Sequence, residues 1–278
     1  MMKQGVKPQA VAILGGFSIL CFLAVHRLAG ASDWPDVAGQ GFCVVAYLIG
    51  LLSCWRAANL YPKGSPVGLG WLALGGNCFL SIFRHLALNP IFAGVFGTKE
   101  HVYLASQTIQ LPALICVLVG MIAIWWGIYR LKLGFRVGWL DWAGVACSAA
   151  IIAWAFRNNL SLSHSGQGIV GVLQPVSLGF LIAIGGVGFL FHGLASQMGG
   201  GQLAAVMRWI AVYALLRSGL TLSEAWRDLY SLPWWLVFYS VPWIFAFGAA
   251  YSCWLVDTVR RGIGNEFQPG WDTSGLTR

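Results

Sequence analysis

The stretch "VGLGWLALGGNCFLSIFRHLAL", Val67–Leu88, is apolar almost throughout and carries one full charge, Arg84, near its end. As an α-helix its 22 residues would rise about 33 Å, and the hydrocarbon core of a bilayer is about 30 Å thick. It therefore reads as a membrane-crossing helix. A strand is excluded, because the run is too long and continuous for barrel alternation and an open sheet leaves its backbone unsatisfied in lipid.

Seven further segments read the same way. With the first, the expected spans are Val11–Leu28, Ala38–Ala57, Val67–Leu88, Ile109–Tyr129, Leu140–Phe156, Ile169–Leu194, Leu203–Leu222 and Trp234–Val256. Pieces such as "GASDWPD", "NLYPKGSP", "LKLGFRVGW", "RNNLSLSHSGQG" and "SQMGGGQ" separate them, and their Gly, Pro, Asn and Ser mark connections. The expected fold is all-α, a polytopic membrane helix bundle of about eight transmembrane helices over residues 1–257, with a short cytoplasmic tail at 258–278. Composition agrees: 58% of residues are hydrophobic and 9% charged, where a soluble domain carries roughly a quarter charged. The first span, after the basic start "MMKQGVK", is longer than the apolar core of a signal peptide and is expected to be retained.

The net charge of +8 does not point to nucleic acid, because the basic residues stand singly along the loops. Membrane lipids and other membrane proteins are the expected partners. Lys3, Lys7, Arg56, Lys63, Arg130, Lys132, Arg136, Arg208, Arg260, Arg261 and Arg278 fall on one side of an eight-span topology, against six Lys and Arg on the other. The richer side should be cytoplasmic, which places both termini in the cytoplasm. The seven Cys lie in apolar runs without a C-x-x-C pair and read as small hydrophobes.

An internal repeat is expected. Trp142 to Pro175 spans the same sequence distance as Trp209 to Pro242, and Trp71 to Pro112 is a longer version. The unit is a helical hairpin with a Pro in the returning helix, and the first two spans form a less similar fourth copy. Trp34, Trp71, Trp125, Trp126, Trp139, Trp142, Trp209, Trp226, Trp234 and Trp235 fall near expected span ends, as an interfacial belt would.

The outward-running spans end on polar residues: His26 with Arg27, Arg84 with His85, Arg157 with Asn158, and Arg217 followed by Glu224. A long Arg side chain near a helix end can reach the interface, which lowers the cost of its charge. Two readings stand. In one, these cations meet lipid phosphates, with Arg217 and Glu224 paired on one face. In the other, Arg84, His85, Arg157, Asn158, Arg217 and Glu224 line an extracytoplasmic pocket for an anionic or polar ligand, with Arg217 as the leading residue.

No cofactor or metal is expected, because no H-x-x-x-H or H-E-x-x-H pattern occurs. The alternative is a haem- or chlorophyll-type pigment held by His26 or His85, since imidazole is a common ligand. Catalysis is not expected either. The Ser-Gly pairs of "RSGLT" and "SHSGQG" have no histidine at a compatible depth, and the acids sit at span ends or in loops.

A Trp near a helix start ("GWLALGG"), a polar residue near its far end, a Pro in the next helix and a following Gly recur over Trp71–Val256. This pattern resembles the multi-helix bacterial membrane sensor modules found ahead of histidine-kinase or diguanylate-cyclase outputs. The resemblance implies ligand sensing, signal transduction and residence in the bacterial inner membrane. Here "VDTVRRGIGNEFQPGWDTSGLTR" follows the last span, so an output is expected from a partner. The expected function is non-enzymatic, either a sensor-like bundle or an accessory subunit of a larger membrane complex; the alternative is a haem- or pigment-binding electron-transfer subunit.

Overall fold

A computed structural model describes residues 6–29, 33–93, 95, 99–130, 136, 138–163, 168–198, 202–224 and 232–266, and their regular structure is helical throughout. In chain order the helices are α1 (Pro8–Ala29), α2 (Trp34–Asn59), α3 (Pro66–Leu88), the short α4 (Pro90–Ala93), α5 (Lys99–Tyr129), α6 (Trp139–Ser163), α7 (Gly168–Gln197), α8 (Gln202–Glu224) and α9 (Leu232–Glu266). Each of the eight long helices contains one expected span. Two run furthest beyond their expected spans. α5 begins at Lys99 because "KEHVYLASQ" is polar but holds no Gly or Pro to stop a helix, and α9 continues to Glu266, across the expected boundary at 258.

The sequence explains several of the helix ends. Ser65 caps α3, its hydroxyl accepting from the Gly68 N–H at 3.1 Å, and Pro66 follows where no amide proton is needed. Gly64 supplies the positive φ of 79° that brings the chain into that cap. At the far end of α3, Asn89 accepts from the Ile91 N–H at 3.1 Å and donates to the Val37 carbonyl at 3.2 Å, tying the start of α4 to α2. Asp141 in the first turn of α6 accepts from the Gly138 N–H at 2.9 Å, the carboxylate half of a capping box.

Six stretches are long and apolar enough to cross a membrane: Pro8–Ala29, Trp34–Asn59, Pro66–Leu88, Leu104–Tyr129, Val176–Gln197 and Trp235–Thr258. The apolar described part of α6, Trp139–Trp154, is shorter, and α8 carries Arg208 and Arg217 within it. Side chains exposed on the outside include Ile13, Phe17, Leu20, Leu52, Val119 and Trp154, the surface that hydrocarbon chains would cover. Several hydroxyls inside the helices are satisfied locally. Ser18 donates to the Leu14 carbonyl, Thr108 to Leu104 and Ser252 to Gly248, each one turn back at 2.7–2.8 Å.

The helices pack as a ring in the order α2, α3, α5, α7, α8, α9, which closes because α9 returns to α2. α1 lies against α2 and α9, and α6 against α7. Tyr47, Leu74, Met121, Tyr213 and Phe245 fill the middle of the ring, with Tyr213 and Phe245 4.8 Å apart between ring centres. Trp71 joins them at 4% exposure and lines a cleft with Met121, Trp209 and Tyr213, so it is not part of an interfacial belt. Its neighbour Gly70 explains why. A methyl group at Gly70 would lie 2.7 Å from the Gly120 carbonyl oxygen, so α3 and α5 touch backbone to backbone and Trp71 turns inward beside that contact. Of the free cysteines, Cys43, Cys54, Cys78 and Cys253 are buried, while Cys147 is exposed.

Candidate functional site

The most polar part of the interior lies at the end of the ring where α3 stops. His85 sits one turn before the end of α3 and is 1% exposed. Its Nδ1 lies 2.5 Å from the Oε1 of Gln40 on α2, itself 7% exposed. An amide oxygen only accepts, so Nδ1 carries the proton and the lone pair of the ring is left on Nε2. Nε2 is buried and has no hydrogen-bond partner among the described residues. The ring is held flat against Tyr47, with centres 5.4 Å apart and planes 28° from parallel, and Phe238 of α9 closes a third side at 6.5 Å.

Two guanidinium groups belong to this neighbourhood. Arg84 precedes His85 on α3, Arg217 comes from α8, and both are half-buried. Each acts electrostatically on His85, Cys43 and Tyr47, and Arg217 also on Tyr213. The ring therefore gathers cations from two helices around one fixed imidazole. Guanidinium groups recognise anions through charge and paired N–H donors, and a buried lone pair recognises a hydrogen-bond donor. The combination suits a ligand carrying both.

Of the residues expected to form this site, Arg84, His85 and Arg217 come together. Arg157 does not join them: it is exposed on α6, which packs on α7 outside the ring. Asn158 lies in α6 and Glu224 in α8, with side chains outside the described residues. His26, the other expected imidazole ligand, is exposed on α1, 6.0 Å from the ring centre of Phe22. His101 and His192 are also exposed, and His164 lies outside the described residues. No group of three His, Cys, Asp or Glu side chains able to hold a metal occurs among the described residues.

Sequence reading missed Gln40, Tyr47, Cys43 and Tyr213. Gln40 had a signal, being the one amide within "VAGQGFCVVAYLIGLL", where an unpaired side chain would be costly. The others look like ordinary apolar positions. No protein family, curated protein or solved structure matches the chain.

Proposed function

We propose that this is a non-enzymatic multi-pass protein of the bacterial cytoplasmic membrane, acting as a sensor-like bundle or as an accessory subunit of a larger membrane complex. In this reading α6 and α8 complete eight crossings, the helices pair as four related hairpins, and both termini are cytoplasmic. The distribution of Lys and Arg supports that orientation. The Arg84 end then faces away from the cytoplasm and takes an anionic or polar ligand. Arg84 and Arg217 hold its charge, and His85, fixed by Gln40 and Tyr47, accepts its hydrogen bond.

The observation that carries the reading is His85, buried against Gln40 with Nε2 unpartnered while two guanidinium groups act on it. The test is thermal denaturation of the protein in lipid nanodiscs against acetate, glycolate, phosphate and sulfate. A ligand at a hundred times its Kd stabilises by about 2.7 kcal/mol. At least one anion should raise the Tm, and Arg217→Ala and Arg84→Ala should each remove the shift. Shifts unchanged in both variants would refute the site. Signalling through a partner is tested by co-purification of the intact membrane assembly.

One observation favours a second reading. An imidazole tied through Nδ1 to an oxygen and offering Nε2 is the arrangement in which histidines ligate metals and haem. A Soret or chlorophyll band that disappears in His85→Ala would favour a haem- or pigment-binding electron-transfer subunit instead.

A further inference from the structure

Gly70, Leu74, Asn77, Ser81 and Arg84 recur on α3 at alternating intervals of four and three residues, which places them on one stripe of the helix. The glycines show what that stripe faces. A methyl group at Gly70 would meet Gly120 and Ile124 of α5, one at Gly127 would meet Val67, and one at Gly76 would meet the Cys116 sulfur. The helices are therefore antiparallel in a defined register. Continued toward the Arg84 end, it sets Asn77 level with Cys116 and Arg84 level with Gln110.

Along this seam the chemistry changes abruptly. From Val67 to Leu74 it is closed by glycine and aliphatic contacts. From Asn77 onward it holds amides and a hydroxyl, of which the Ser81 hydroxyl donates to the Asn77 Oδ1 at 3.3 Å. Asn77 is 3% exposed and Gln110 8%, yet the Asn77 Nδ2 and the Gln110 Oε1 have no partner among the described residues. One is a donor and the other an acceptor. Unsatisfied amides are strongly disfavoured in a lipid-embedded interior, and water is the usual third party that satisfies such groups.

We propose that the α3–α5 seam, closed around Asn77 and Gln110 in this structure, opens from the Arg84 end as a blind crevice that admits water and small neutral or anionic solutes as far as Asn77. The eleven steps along the helix from Asn77 to Leu88 rise about 16 Å, half the hydrocarbon thickness. Arg84 stands toward the mouth and disfavours cations. Beyond Asn77 the contact of Gly70 with Gly120 leaves no room for a water, so the crevice does not pass through the protein. The inference does not depend on the ligand proposed for His85.

The test is cysteine accessibility in membranes, using the full chain with its native cysteines replaced. The probes are an anionic and a cationic methanethiosulfonate reagent of similar size. Asn77→Cys and Ser81→Cys should react at least tenfold faster than Leu74→Cys, with the anionic reagent preferred, and adding Arg84→Ala should reduce that preference. Equal sluggishness at positions 74, 77 and 81 would overturn the crevice, and equal reactivity would overturn its blind end. Radiolytic hydroxyl labelling of the unaltered protein in nanodiscs guards against misfolded variants. Cys116 should be oxidised ahead of the buried Met121, and protection of both would overturn the proposal.

Discussion

The two halves of the α3–α5 seam are built from the same two helices and solve opposite problems. Around Gly70 and Gly120 the backbones touch, and stability comes from close van der Waals packing, the main attraction left between helices once lipid removes the hydrophobic difference. Around Asn77, Arg84 and Gln110 polar side chains occupy the seam, and the Asn77 Nδ2 and the Gln110 Oε1 have no partner among the described residues. The lesson is a division of labour along one interface: the dry half fixes the register, and the polar half, held in place by it, is left available for chemistry.

The comparison breaks most easily at its dry half. Gly70→Leu should prevent recovery of monodisperse protein on size exclusion. Gly70→Ala should fold but cost about 1–3 kcal/mol through overpacking, seen as a lower Tm; an unchanged Tm would mean that the backbone contact is not what holds the register. Next comes the polar end. Gln40→Leu strands the Nδ1–H of His85 and should cost about 1–3 kcal/mol, measured in the same way.

Asn77→Leu sharpens the contrast. The substitution removes an Nδ2 that has no partner among the described residues and one hydrogen bond from Ser81, a hydroxyl that can turn to a carbonyl one turn back, so its cost should be small. Its Tm change should be smaller than that of Gln40→Leu, and a larger one would mean that Asn77 belongs to a packed network. The smallest effect is expected away from the seam, where Arg56 of α2 meets Asp257 of α9 at 3.3 Å with both side chains partly exposed. A double-mutant cycle should find about 0–1 kcal/mol, falling further at high salt.

Much of the architecture was legible in the sequence. The segment from Val67 to Leu88 became α3 to within one residue, because Ser65 and Pro66 mark its start and Asn89 and Pro90 its stop. The start of α5 was not legible, since a polar run without breakers can remain helical above the apolar part. Arg84, His85 and Arg217 stood out as charge or imidazole in apolar surroundings. Trp71 misled because a tryptophan near a span end usually marks the interface, whereas here a neighbouring glycine brings α5 close and the indole turns inside.

The helical state of each segment is a local decision. A chain in hydrocarbon must satisfy its own amides, and about 20 apolar residues in a row can do so only as a helix, so the order of residues alone determined it. Which residues meet is a different matter, because many of these helices are apolar nearly all round and composition does not mark the inward face. Gln40 reaches His85 across 45 positions, and Arg217 arrives from another helix of the ring. Those meetings were decided by the tertiary structure, where glycines set how closely helices approach and so which side chains turn toward one another.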